Sequence, residues 1–222
     1  MKALKKGVLF TLLALVGLYG CYKVTYPTYA NRFRLTMAFN IDGQTYAGSS
    51  VLELVYVSEP GISSAPYSNY VRGQAVFIDL GKHGVVIAAL QNWPGPRLGS
   101  VNVSELPIRA FGTPQHEISV PEVPGLTGRG DLASDSLPRL VWLSNVTDEK
   151  SARAFAVGDL TELFGPTARL EAAFIEITSD PIVIDIDRKL PWYRDLADRQ
   201  KNGIITGPHF ELVYSMFVRD QS

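Results

Sequence analysis

The chain reads as mainly β (α+β). It should form antiparallel sheets, either two packed together or one twisted sheet capped by helices, with two short helices and one N-terminal membrane helix. Three observations predict this. Residues 32–41, RFRLTMAFNI, alternate cleanly: Phe33, Leu35, Met37, Phe39 and Ile41 fall on one side, and Arg32, Arg34, Thr36, Ala38 and Asn40 on the other. That is the period of a half-buried strand. Asp42-Gly43 follows directly, and this dipeptide between two apolar runs is a strong hairpin signal. Further strand-length runs recur to the end of the chain, punctuated by Gly, Pro and Asn.

Composition bounds the function. Hydrophobic residues make up 46% and charged residues 19%, enough to build and solvate a proper core. Of 222 residues, about 200 remain beyond the leader, one large domain or two small ones. The formal net charge of -1 carries no nucleic-acid footprint, which needs a concentrated excess of Lys and Arg. The one cysteine can form neither an intramolecular disulfide nor a cysteine-based zinc site.

The leader gives an address. Residues 1–6, MKALKK, carry Lys2, Lys5 and Lys6, and residues 7–22 carry no charge. At ~1.5 Å per residue that run covers roughly 24 Å, short of the ~30 Å hydrocarbon core. If Lys23 snorkels, the span extends to Tyr26, about 20 residues and sufficient. Tyr19, Tyr22, Tyr26 and Tyr29 gather here as an aromatic belt would, and Pro27 stops the helix. The N-terminal lysines place the N-terminus in the cytoplasm and the body outside the inner membrane, facing the periplasm. A second reading is a cleaved lipoprotein signal. Leu18-Tyr19-Gly20-Cys21 is similar to the bacterial lipobox, with Tyr19 departing from it, and makes Cys21 a lipidation site. A third is a cleaved leader and a soluble product, and as a bystander Cys21 is a small apolar filler.

Four regions follow: an anchor or signal at 1–26, a first antiparallel β region at 27–92, a Pro/Gly-rich loop region at 93–138, and a second β-rich region at 139–222. Residues 27–222 together suit one domain. In the first β region, residues 45–57 return from the Asp42-Gly43 turn. Residues 70–80, YVRGQAVFIDL, read as one central strand, and Gly81-Lys82-His83-Gly84 turns it into VVIAAL. Seven prolines punctuate 93–138, where residues 101–111, VNVSELPIRAF, have room for one or two short strands. The rest reads as a surface excursion suited to a partner.

In the last region, residues 137–145, 151–157 and 168–178 read as strands. Asp159 and Glu162 read as a capping box opening a short helix that Gly165-Pro166 ends. Residues 181–187, PIVIDID, alternate as a strand with Ile182, Ile184 and Ile186 inward. Pro191 opens a helix closed at Asn202-Gly203, and residues 208–218 form a last strand.

Several stretches resemble an uncharacterised family of membrane-anchored proteobacterial envelope proteins: residues 26–36, 47–54 and 71–85, and above all FGPTARLEAAFIEITSDP at 164–181 with DRKLPW at 187–192. The resemblance implies a short N-terminal membrane segment and an exported body, and no established activity. Gln74 stands where the resemblance leads one to expect an acidic residue, and Asp185 where it leads one to expect a small one.

The chemistry-bearing residues are few. Asp185 and Asp187, two apart on the expected strand, would share a face with Cα atoms roughly 7 Å apart. Such a pair suits glycoside hydrolysis or a hard cation. With Asp180, Arg188 and Lys189 nearby, the preferred reading is a solvated strand face of local ion pairs. His83, His116 and His209 share no metal-ligand spacing. Gly48-Ser49-Ser50 falls in a strand rather than at a nucleophile elbow, and no phosphate loop is present. Gly128-Arg129-Gly130-Asp131 contains a cell-adhesion tripeptide, accessible if it lies in a loop. Trp192 reads as a pin holding a helix to a sheet. No residue is assigned to catalysis, to a metal or to a cofactor. The expected partners are the membrane, through the anchor, and an envelope protein. The function expected is a non-catalytic binding or assembly module of the envelope. The alternatives are an envelope hydrolase acting on cell-wall material through carboxylates, and a structural lipoprotein lipidated at Cys21.

Overall fold

The structure, a computed structural model, describes residues 2–59, 66–90, 101–202 and 217–219, with side chains for those from 12 to 218. It is mainly β, with two antiparallel sheets and several short helices.

The N-terminal run forms helix α1 (Lys2–Thr25), and strand β1 (Thr28–Ile41) starts after Tyr26 and Pro27. β1 pairs with β2 (Gln44–Ser58) along its whole length, from Thr28↔Val57 to Ile41↔Gln44. Asp42 and Gly43 take φ of 53° and 78°, the left-handed pair that a two-residue turn between twisted strands requires. The expected alternation is realised: Phe33, Leu35, Met37, Phe39 and Ile41 are all fully buried.

The single central strand expected at 70–80 is two strands in two sheets. β3 (Tyr67–Gln74) pairs with β2, and β4 (Val76–Asp79) belongs to the second sheet. Gly73 makes the corner, with φ of 131°, and a Cβ there would lie 2.8 Å from the Val51 carbonyl oxygen. A bend of this kind is how a strand changes sheet. The run's hydrophobicity arises because both arms of the corner are buried. The two sheets approach closely at Gly48 of β2, where a Cβ would sit 2.3 Å from the Phe77 carbonyl oxygen of β4.

β4 then turns through residues 81–84 into β5 (Val85–Ala88), every residue of which is buried, as a central strand should be. β6 (Arg129–Asp131), β7 (Leu140–Leu143), β8 (Ala152–Phe155), β9 (Arg169–Ile177) and β10 (Val218–Arg219) complete the strands among the described residues. The first sheet runs β10-β3-β2-β1-β9-β6 and the second β4-β5-β7-β8.

Three local expectations are corrected. Residues 103–111 are helical: a 3-10 turn runs into α2 (Leu106–Phe111). Val103 and Leu106, three apart, are both buried, and Pro107 lies in the first turn, where its missing N–H costs nothing. Second, Asp159 does not cap α3 (Leu160–Phe164). Its carboxylate accepts the Ala156 N–H at 2.8 Å and closes the preceding 3-10 turn. Gly165, at φ 97°, ends α3 as expected.

Third, residues 181–187 are not a strand. Thr178 N–H donates to the Arg32 carbonyl, and Asp180 is then held by Arg32 and Arg34. Asp185 is held by Gln74 at the end of β3. β1 and β2 separate β9 from β3, so residues 180–185 cross the strands as a strap, over the face that carries Arg32 and Arg34. Ile182 is half-buried and Val183 and Ile184 are exposed; of the expected inward set, only Ile186 is buried, as the first residue of α4 (Ile186–Lys189). Helix α5 (Tyr193–Lys201) lies as expected, with Asn202 at its end. Gly203 and most of the strand expected at 208–218 lie outside the described residues, and Val218 of β10 pairs with Gln74.

Candidate functional site

A polar constellation gathers where β3 passes into β4. Gln74 is buried there, although its side chain leaves the first sheet. Its Nε2 donates to Asp185 Oδ1 at 2.7 Å. Its Oε1 accepts two backbone N–H groups, Asp185 at 2.7 Å and Ile186 at 2.9 Å. Its own carbonyl accepts the Ser50 hydroxyl at 2.7 Å, and the next residue, Ala75, donates its N–H to the Phe217 carbonyl at 2.7 Å. One glutamine side chain thus fixes the end of the strap and the start of α4.

Asp185 is shared between Gln74 and Lys189, whose Nζ lies 3.0 Å from the same Oδ1. The Gln74 hydrogen bond, with Lys189 beside it, holds the Asp185 carboxyl below the ordinary aspartate value against the opposing effect of burial. Asp187 pairs with the guanidinium of Arg194, which likewise lowers its carboxyl. The two carboxylates expected to share one face of a strand are therefore each committed to a cation of their own, Lys189 and Arg194. A general acid in glycoside hydrolysis needs a raised carboxyl pKa, and both of these are lowered. Among the described residues no group of three His, Cys, Asp or Glu could hold a metal ion.

The strap's other end rests on a row of charge. Glu53 of β2 bridges Arg32 at 2.8 Å and Arg72 at 3.0 Å, across neighbouring strands. The Arg32 hydrogen bond, chiefly, keeps the Glu53 carboxyl below its usual value.

The remaining candidates divide. Ser50 is buried between the sheets with its hydroxyl committed to Gln74, a ladder role. His83 is a contact of the 81–84 turn: its Nε2 lies 3.2 Å from Asp42 Oδ2, and its ring meets Phe164 edge-on. Arg129-Gly130-Asp131 is a strand, not a loop. Gly130 is buried against the Ala110 carbonyl, Arg129 lies over the Phe174 ring at 3.5 Å, and Arg129 and Asp131 bind each other. Presentation as an adhesion loop is thereby overturned, because β9 holds the tripeptide flat. Trp192 is buried, donates to the Val146 carbonyl at 2.8 Å and meets Phe217 edge-on, which pins the start of α5 to the β7–β8 connection. His209 lies outside the described residues.

From residue 101 onward, a few anchors hold the proline-rich segment to the body. Ile118, Val123 and Leu132 are buried, and Asn31 donates to the Val123 carbonyl. Pro114, Pro121, Pro124, His116 and Glu117 are exposed. Ser119 and Glu122 form a capping box, and His116 lies 2.8 Å from Glu122, whose carboxyl is drawn down to about 2, chiefly by the Ser119 hydroxyl. The glutamate stands between serine and histidine, so this is a turn device and not a nucleophile array. Cys21 is exposed on α1.

Sequence reasoning missed Gln74 as the hub. The available signal was a lone amide between Gly73 and Ala75 inside an apolar run, where a buried polar side chain must find partners. Gln74 and Asp185, 111 residues apart in the chain, are partners in space. No family model matches this chain, nor does any curated protein or any solved structure.

Proposed function

We propose that this chain is a non-catalytic binding or assembly module of the cell envelope, held at the inner membrane by residues 1–26 with its body on the periplasmic side. One observation carries the reading. Along α1, Leu12, Leu13, Leu15, Val16, Leu18, Tyr19, Tyr22 and Val24 are 52–83% exposed. Each large apolar side chain left in water forgoes roughly 1.5–3 kcal/mol of burial, and the body covers none of these. A bilayer would cover them all. Among the described residues no helix is long and apolar enough to cross a membrane. The uncharged run is short, and Lys23 must snorkel for α1 to reach both faces.

The committed carboxylates Asp185 and Asp187 favour binding over hydrolysis. The exposed prolines of 113–125, on buried anchors, supply a stiff surface for a partner. Deleting 113–136 would remove Val123 and β6 from the fold, so surface substitution is the better test. H116A/E117A/P121A should lower the melting temperature by no more than about 6 °C, since surface changes usually cost under ~0.5 kcal/mol each. It should abolish capture of a specific membrane partner; unchanged capture removes this segment from the proposal.

A further inference from the structure

α1 and the body are joined without a tether. α1 ends at Thr25 and β1 begins at Thr28. Tyr26 N–H still donates back to the Tyr22 carbonyl at 2.9 Å, and Ser58 N–H donates to the Pro27 carbonyl at 3.2 Å. The hydrogen bonding of the β1–β2 ladder therefore extends to Pro27, two residues beyond the end of the helix. Two residues span about 7 Å, roughly one headgroup layer.

Tyrosines run across this junction. On the helix, Tyr22 and Tyr26 have ring centroids 5.2 Å apart, and the Lys23 ammonium lies 5.9 Å from the Tyr19 ring. On the sheet, Tyr29 of β1 meets Tyr67, the first residue of β3, edge to face at 6.0 Å. Tyr29 and Tyr67 are half-buried, with neighbouring Thr28 and Ser68 exposed. Tyrosine suits the layer where hydrocarbon gives way to headgroups, because its ring is apolar and its hydroxyl is not.

We propose that the end of the first sheet carrying Tyr29 and Tyr67 is a bilayer-docking surface, seated among phospholipid headgroups. The body then stands on the membrane with the Asp42-Gly43 turn pointing away from it. This rests on the membrane reading above. It adds that the body is seated and not swinging, because the chain leaves no free length between helix and sheet.

The test uses the full chain in vesicles of phosphatidylcholine and phosphatidylglycerol, in a C21S background. A fluorophore is placed on V16C in α1, on S68C beside Tyr67, or on Q44C at the far turn. β1 puts the last two roughly 45 Å apart. Acyl-chain nitroxide should quench the V16C label, and headgroup nitroxide should quench S68C at least threefold more than Q44C. Adding Y29S/Y67S should bring S68C towards the Q44C level and leave V16C unchanged. Equal quenching at 68 and 44 with V16C quenched overturns the seating alone. Quenching at 68 that ignores the tyrosine substitutions overturns their role. An unquenched V16C overturns the membrane reading and the seating with it.

Discussion

Gln74 and Asp185 meet amide to carboxylate at 2.7 Å, while the other end of the same amide takes the backbone N–H groups of Asp185 and Ile186. A side chain that emerges at a sheet corner thus replaces the hydrogen bonds that residues 185–186 would make as a strand. Removing it leaves two donors without partners, each worth about 1–3 kcal/mol where water cannot reach. Gln74→Leu is expected to cost about 2–4 kcal/mol by urea denaturation. A cost below about 0.5 kcal/mol would contradict the hub.

The pair is also exchangeable. Gln74→Glu alone sets two carboxylates in contact and should destabilise. Adding Asp185→Asn restores a donor to an acceptor. The double-mutant cycle should give a coupling of at least about 1 kcal/mol. Additive effects would show that the contact carries no energy of its own.

Gly48→Ala should be among the most damaging single changes in the body. The added Cβ meets the Phe77 carbonyl at 2.3 Å, backbone against side chain, and one sheet must move. A loss of about 3 kcal/mol or failure to fold is expected. Gly158→Ala, where a Cβ meets nothing within 4 Å, is the control and should stay within about 0.5 kcal/mol.

Stability should fall in acid through Glu53 and Asp185, whose folded pKa values lie below their ordinary ones. With the folded value lower, the unfolded chain binds more protons between the two values, so stability rises with pH there. The contribution is complete above the ordinary carboxylate range, near 4, and is lost as pH falls through the folded values. Urea midpoints measured from pH 7 to pH 3 should drop steeply below pH 4. Glu53→Gln and Asp185→Asn should each flatten that slope, and an unchanged slope in both would contradict the assigned partners.

Trp192→Phe should cost about 1 kcal/mol for the lost bond to Val146, and Trp192→Ala about 3–5 kcal/mol. Hydrogen exchange at residues 193–201 should rise in both, more in the second. Equal exchange in all three forms would remove the pin.

Local pattern reported the fold where one face is buried and neighbours are sequential. RFRLTMAFNI with Asp42-Gly43 gave the first hairpin residue by residue, because alternation and turn chemistry agree there. It misread 70–80 and 181–187, since both outcomes were decided by distant partners. The corner at Gly73 stands where Val51 and Leu52 leave no room for a Cβ, and the strap leaves strand geometry because Arg34 and Gln74 hold its two carboxylates at opposite ends of a crossing over β1 and β2. The Asp185–Asp187 spacing was legible, but its meaning depended on Lys189 and Arg194 folding back on it. Gln74 was visible only as an oddity.

Membrane attachment through α1 is tested most directly by fractionating bacterial cells that express the untagged chain beside its 27–222 form. The full chain should sediment with membranes, resist alkaline carbonate and be released by detergent, while 27–222 should leave the pellet. A full chain found in the cytosolic supernatant with Met1 or Lys2 still at its start would contradict membrane attachment.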